Sequence, residues 1–135
     1  MNTLTALDPV TLPFDMPDSV EAWHIRGALF FGSISKLETL TDPKRLMAAN
    51  ASKLVILDFT DLLNIDNSAL DQLEQFRKSL QRFNHELIIA GAAGYTYQQL
   101  KRVGMIDALG ENMQPNMEFA LARARARLAD MNIAQ

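Results

Sequence analysis

A chain of 135 residues with 48% hydrophobic and 21% charged side chains is long enough for one domain with a true core and too apolar to be disordered. Its formal charge of −3 lacks the cationic excess that nucleic-acid phosphates demand, which excludes nucleic acid as an expected partner. There is no cysteine for a disulfide framework or thiolate chemistry, no apolar run near the ~18 residues of a spanning helix, and no Lys or Arg before Val20 to make a secretory signal.

Residues 1–19 set Pro9, Pro13 and Pro17 among Asp8, Asp15 and Asp18, which predicts an extended arm. Val10, Leu12 and Phe14 alternate, so part of the arm is expected to pair at a sheet edge, where proline is tolerated. From Val20 to Phe31 the alternation around Trp23 and Ile25 predicts two short strands, or one strand bent at Gly27. A helix pattern opens at Gly32-Ser33 with Ile34, Leu37 and Leu40 on one face. Asp42-Pro43 breaks it or starts a new turn, and Leu46, Met47 and Ala48 carry it on to about Asn50.

The stretch from Lys53 to Phe83 organises the chain. Leu54-Val55-Ile56-Leu57 is a short, continuous, β-branched run and reads as a buried central strand. A turn-rich passage follows and ends in Asp66-Asn67-Ser68, each a good N-cap type. Leu70, Leu73, Phe76, Leu80 and Phe83 then recur at spacings of three and four, giving one apolar helix stripe. Asp71 falls three residues after Ser68, where it meets the positive end of the helix dipole. Ser68 thus sits at or just inside a helix N-terminus, where unpaired backbone N–H groups favour an added negative charge.

Glu86 to Gly91 predicts a second buried strand, parallel to the first through a right-handed β-α-β crossover. Gly91 to Gly94 reads as a tight turn, because it lacks the Lys-Ser/Thr of a P-loop and the spacing of a dinucleotide fingerprint. Tyr97, Leu100 and Val103 mark a short helix stopped at Gly104, and Met105 to Gly110 a further turn or short helix. Met113 to Pro115 is expected at a sheet edge. The last helix, about Asn116 to Asp130, turns Met117, Ala120, Leu121, Ala124 and Leu128 inward and Arg123, Arg125 and Arg127 outward as a solvated face. The expected fold class is α/β: a small mixed sheet with about four helices mainly on one face and the Asp66 to Leu70 loop exposed at one end. The arm (1–19), the domain (20–130) and a tail (131–135) divide the chain.

Few residues suggest chemistry. His24 and His85 lie some sixty residues apart with no acid set at metal-ligand spacing, and read as structural. Asp58, Asp61, Asp66 and Asp71 around one strand end read as loop-solvating acids rather than a hydrolytic pair. No catalytic constellation is present, no cofactor is expected, and no motif supports a nucleotide site. Trp23, Phe30 and Phe31 are expected in the core, and any of them found exposed would mark a docking surface.

Three segments resemble the STAS domain, the sulfate-transporter and anti-sigma-factor-antagonist module. They are Arg26-Gly27-Ala28-Leu29-Phe30-Phe31-Gly32-Ser33; Leu54-Val55-Ile56-Leu57-Asp58-Phe59 with Ile65-Asp66-Asn67-Ser68-Ala69-Leu70; and Leu87-Ile88-Ile89-Ala90-Gly91 with Leu100-Lys101-Arg102-Val103-Gly104-Met105-Ile106. Together they span roughly residues 20 to 128. In the anti-sigma-antagonist branch, the loop before the second helix commonly reads Asp-Ser-Ser/Thr-Gly, and a partner kinase phosphorylates its second hydroxyl residue. The matching position is Ser68, with Asn67 and Ala69 standing where that branch prefers Ser and Gly. The Asp66-Asn67-Ser68-Ala69-Leu70 form is closer to the cytosolic C-terminal domain of SulP-type anion transporters.

The resemblance implies a noncatalytic regulatory and protein-interaction domain at the cytoplasmic face of the inner membrane, with the membrane domain of the same transporter as partner. On that reading the chain is an excised piece. The alternative is a free-standing switch phosphorylated at Ser68 and partnered by a cytosolic regulatory protein or kinase; a homodimer is compatible with either. On the residues alone, Asp66, Asn67 and Ser68 read equally as a helix cap worth ~1 kcal/mol.

Overall fold

The computed structural model describes residues 5–30, 32–40 and 54–133. Phe31, the side chains of Leu37 and Leu40, the break expected at Asp42-Pro43, and Leu46 to Ala48 lie outside them. The buried run forms β3 (Leu54–Asp58), all of whose residues are buried. It lies at the centre of a mixed sheet ordered β1 (Ala6–Pro9), β2 (Val20–Leu29), β3, β5 (Glu86–Ala90), β6 (Met113–Gln114). β1 pairs antiparallel with β2, whereas β2, β3, β5 and β6 run parallel, with Trp23 opposite Leu57 and Leu57 opposite Ile89.

Period-two side-chain alternation gives this sheet two apolar faces. Val55 and Leu57 of β3 and Leu87 and Ile89 of β5 face one core with Ile25 and Leu29. Against it pack α1 (Ser33–Leu40), α2 (Asn67–Arg82), α3 (Gly94–Arg102) and α4 (Met105–Leu109), through Ile34, the Leu70/Leu73/Phe76/Leu80 stripe, Leu100, and Met105 with Leu109. Leu54, Ile56, Ile88 and Ala90 point the other way, onto Ala120 and Ala124 of α5 (Met117–Ile133) and onto Val10, Leu12 and Met16 of the arm. Leu73 and Leu80 are fully buried, each contributing roughly 1.5–3 kcal/mol through removal from water.

Four local outcomes differ from the sequence reading. The arm's strand is Ala6–Pro9, upstream of the expected alternation. Val10 and Leu12 instead cap the α5 face while Phe14 is fully exposed, because Pro13 opens a turn in which the Met16 amide donates to its carbonyl. A further strand, β4 (Leu62–Ile65), occupies the passage read as a loop. It runs parallel to β2 beyond a register shift at Gly27, so Gly27 does mark the irregularity in one continuous strand. In α3 the buried residues are Thr96, Gln99 and Leu100, whereas Val103 is exposed.

The fourth concerns the arginines of α5, which are committed to ion pairs rather than forming a bare solvated face. Arg127 pairs with Glu86 (Nη2 to Oε2, 2.5 Å), Arg123 with Glu111 (2.9 Å) and Arg125 with Asp15 (3.4 Å). Arg127 and Asn112 hold the Glu86 carboxyl below its ordinary value by donating hydrogen bonds to it, against an opposing push from burial.

Candidate functional site

Because the strands other than β1 are parallel, their C-terminal ends share one edge of the sheet, and the loops into α1, α2 and α3 all leave from it. That edge is where α/β folds place their working loops. At its middle, Asp66 caps α2: its Oδ1 accepts from the Ala69 amide (2.8 Å) and its carbonyl from the Leu70 amide (2.9 Å). Its own amide donates to the Leu29 carbonyl (3.1 Å), fastening the cap to the end of β2. The cap is therefore Asp66 alone. Ser68 is the second residue inside the helix and is exposed, as is Asn67. Ala69 is buried and contributes only its amide. Asp71 comes after the first turn, which holds no acid.

The loop is braced by residues the sequence did not single out. Arg102, in the last turn of α3, donates to Asn67 Oδ1 (2.9 Å). Gln99, buried at 6% exposure, donates through Nε2 to the Ile65 carbonyl (2.5 Å). Gln72 accepts from the Gly32 amide (3.1 Å), joining the start of α1 to α2. Helical spacing offered one signal for this group: Gln99 and Arg102 are three apart and share the face of α3 that meets β4 and the α2 start.

Beside the loop lies the β3–β4 turn. Asp58 Oδ1 accepts from the Thr60 amide (3.0 Å) and hydroxyl (2.6 Å), so this nearly buried acid is a turn former. His24 Nε2 lies 2.8 Å from Asp61 Oδ2. Gly91 presses onto the same turn at φ +78°, and a Cβ there would overlap Thr60 Oγ1 and stand 3.1 Å from its backbone N.

The acids of this edge are thus engaged separately: Asp58 by Thr60, Asp61 by His24, Asp66 by the helix amides. Among the described residues no three His, Asp or Glu side chains converge as metal ligands. Among the described residues the edge exposes the Ser68 hydroxyl, Asn67 and Asp61 together with two apolar side chains, Phe30 at 44% and Leu63 at 69% exposure. Of the aromatics expected inside, Trp23 packs half-buried on the core and Phe30 is exposed.

The family model for the STAS domain matches residues 16–120. The chain belongs to the STAS family. Among solved structures it is similar to a sulfate transporter family protein from Wolinella succinogenes, at 27% identity over 89% of this chain and 93% of that one, with a TM-score of 0.73. The STAS domain of a SulP transporter from Vibrio cholerae shares the fold at 20% identity, covering 89% of this chain and 88% of that chain, with a TM-score of 0.64. So does the Bacillus cell fate determinant SpoIIAA in its phosphorylated form, at 14% identity over 88% and 99% of the two chains, with a TM-score of 0.65. No curated protein matches the chain in sequence. In this STAS domain no described helix is long and apolar enough to cross a membrane.

Proposed function

We propose that this STAS domain is a noncatalytic, cofactor-free regulatory and protein-interaction module of a SulP-type sulfate or anion transporter, working at the cytoplasmic face of the membrane. One observation carries the reading: the 27% identity with the Wolinella sulfate transporter family protein runs through 89% of the chain, against 14% for SpoIIAA. The exposed strand-end edge, with Leu63, Phe30 and the α2 start, is the surface through which it would touch the membrane domain. The test is a photo-crosslinking residue at position 63 of the native polypeptide in its own membranes, paired with Leu63→Asp in an anion-uptake assay. Crosslinks into a membrane domain and lowered uptake at unchanged abundance are expected. Crosslinks only to a soluble protein, with uptake intact, would overturn it.

A second reading is a free-standing switch phosphorylated at Ser68. It is favoured by the exposed hydroxyl at the second helical position of α2, where the Asn67 and Ser68 amides have no intrahelical acceptor. A phosphate there adds roughly −1.5 to −2 charges at the positive end of the dipole. Its effect would fall on a docking partner and not on the helix. Phosphosite mapping of the protein from its native host separates the two: phosphate on Ser68 supports the switch, an unmodified Ser68 the transporter.

A further inference from the structure

We infer that α3 is a detachable clasp: a helix held on the domain mainly through polar contacts, which opens as a unit and in opening lets go of the α2 start. Its grip on the core is thin. Of its nine residues, Leu100 is the one buried apolar side chain, and the other two buried residues are Thr96 and Gln99. By contrast α2 buries Ala69, Leu70, Leu73, Phe76 and Leu80. A helix as short as α3 has little stability of its own and depends on the apolar face it buries, so α3 is the weaker of the two.

Two further observations lower the cost of opening. Gln99 donates through Nε2 to the Ile65 carbonyl, but its Oε1 is buried without a hydrogen-bond partner among the described residues. A buried acceptor with no partner is penalised in the closed form and regains water in the open one. The helix also lies between Gly94 at φ +55° and Gly104 at φ +81°. A Cβ at either position would meet nothing within 4 Å, so glycine supplies backbone freedom there and not space. Such positions absorb the rotations that a hinged element needs.

The clasp closes on the loop at two points. Gln99 takes the carbonyl of the last residue of β4, and Arg102 donates to Oδ1 of Asn67 (2.9 Å), the first residue of α2. The acceptor that holds Arg102 is a neutral amide, whereas Arg123, Arg125 and Arg127 each hold a carboxylate. Opening releases both points and leaves the Asp66 cap and the exposed Ser68 standing on the β2 and β4 contacts alone. A partner that binds the loop better in one of the two forms shifts α3 with it. That consequence rests on the reading of this edge as the docking surface, whereas the clasp itself is read on the folded chain alone, so either can fail without the other.

The experiment is amide hydrogen exchange of the folded chain followed by NMR, in urea from zero to just below the unfolding transition, with rates corrected for intrinsic exchange. The amides of Gln98 to Arg102 should exchange roughly a hundredfold faster than those of Leu73 to Leu80, with a much shallower urea dependence, the mark of a sub-global opening. Arg102→Ala, a change at an exposed position that leaves the core untouched, should speed exchange in α3 and at the Asp66 and Ala69 amides together. The expected factor is roughly two- to tenfold, the range of one net hydrogen bond. Exchange of α3 at the rate and urea slope of α2 would overturn the clasp, as would an Arg102→Ala variant in which the Asp66 and Ala69 amides exchange as in the unaltered chain.

Discussion

Replacing Asp66 by Ala tests whether the loop is built as the geometry describes. The change removes one acceptor, Oδ1 to the Ala69 amide at 2.8 Å, and the negative charge at the positive end of α2. It leaves the backbone bonds from Leu70 and to Leu29 in place. The loss should therefore be that of one cap, about 1 kcal/mol and no more than ~2. With ~2.1 cal/mol/K of unfolding entropy per residue, 135 residues give about 0.28 kcal/mol/K, so Tm should fall by about 3–4 °C. Asp66→Asn keeps an acceptor and should lose only a few tenths of a kcal/mol. Urea unfolding of the three proteins, with equal m-values, measures this directly. Equal loss in both variants would mean that charge and not the cap bond matters; no loss in either would refute the assignment of Asp66 as the cap.

Ser68→Asp should fold with unchanged or slightly raised stability, by about 0.3–1 kcal/mol, because the new charge lies at the helix N-terminus; thermal unfolding checks it. Gly91→Ala should destabilise by more than ~1 kcal/mol, since φ is +78° and the added methyl meets Thr60, and a urea midpoint reads the loss. Glu86→Gln should flatten the acid limb of the stability curve. The folded Glu86 carboxyl is held below its ordinary 4.5 by Arg127, so its contribution is full above that value and fades as pH falls through the lowered one. Denaturation midpoints from pH 6 to 3 should show wild type losing more than the variant.

The parts of the fold that the sequence disclosed were those whose pattern is local. β3, β5 and α2 each bury a stripe of one period, and the runs Leu54 to Leu57 and Leu70 to Leu80 display it without reference to anything distant. β4 was hidden because Leu62-Leu63-Asn64-Ile65 buries only its ends, and its pairing depends on β2 continuing past Gly27, some 35 residues earlier. That Gln99 is buried on α3 while Val103 is exposed was hidden for a similar reason. Gln99 is buried because an amide is needed to satisfy the Ile65 carbonyl, a demand invisible from α3 alone. At the candidate site, the residue types disclosed a helix start at Asp66 to Ser68 but not which of the three caps it. Asp66 does so because its amide is also taken by Leu29, which fixes the extended backbone a cap requires. The His24–Asp61 and Arg102–Asn67 contacts join residues 37 and 35 apart, and no spacing rule reaches that far.

We propose that this STAS domain serves a membrane transporter. An antibody raised against the folded domain, used on membrane and soluble fractions of the native host, tests it most directly. A transporter domain should appear as a membrane-bound polypeptide several times the 15.1 kDa of this chain. A soluble species of about 15 kDa carrying all the signal would contradict it.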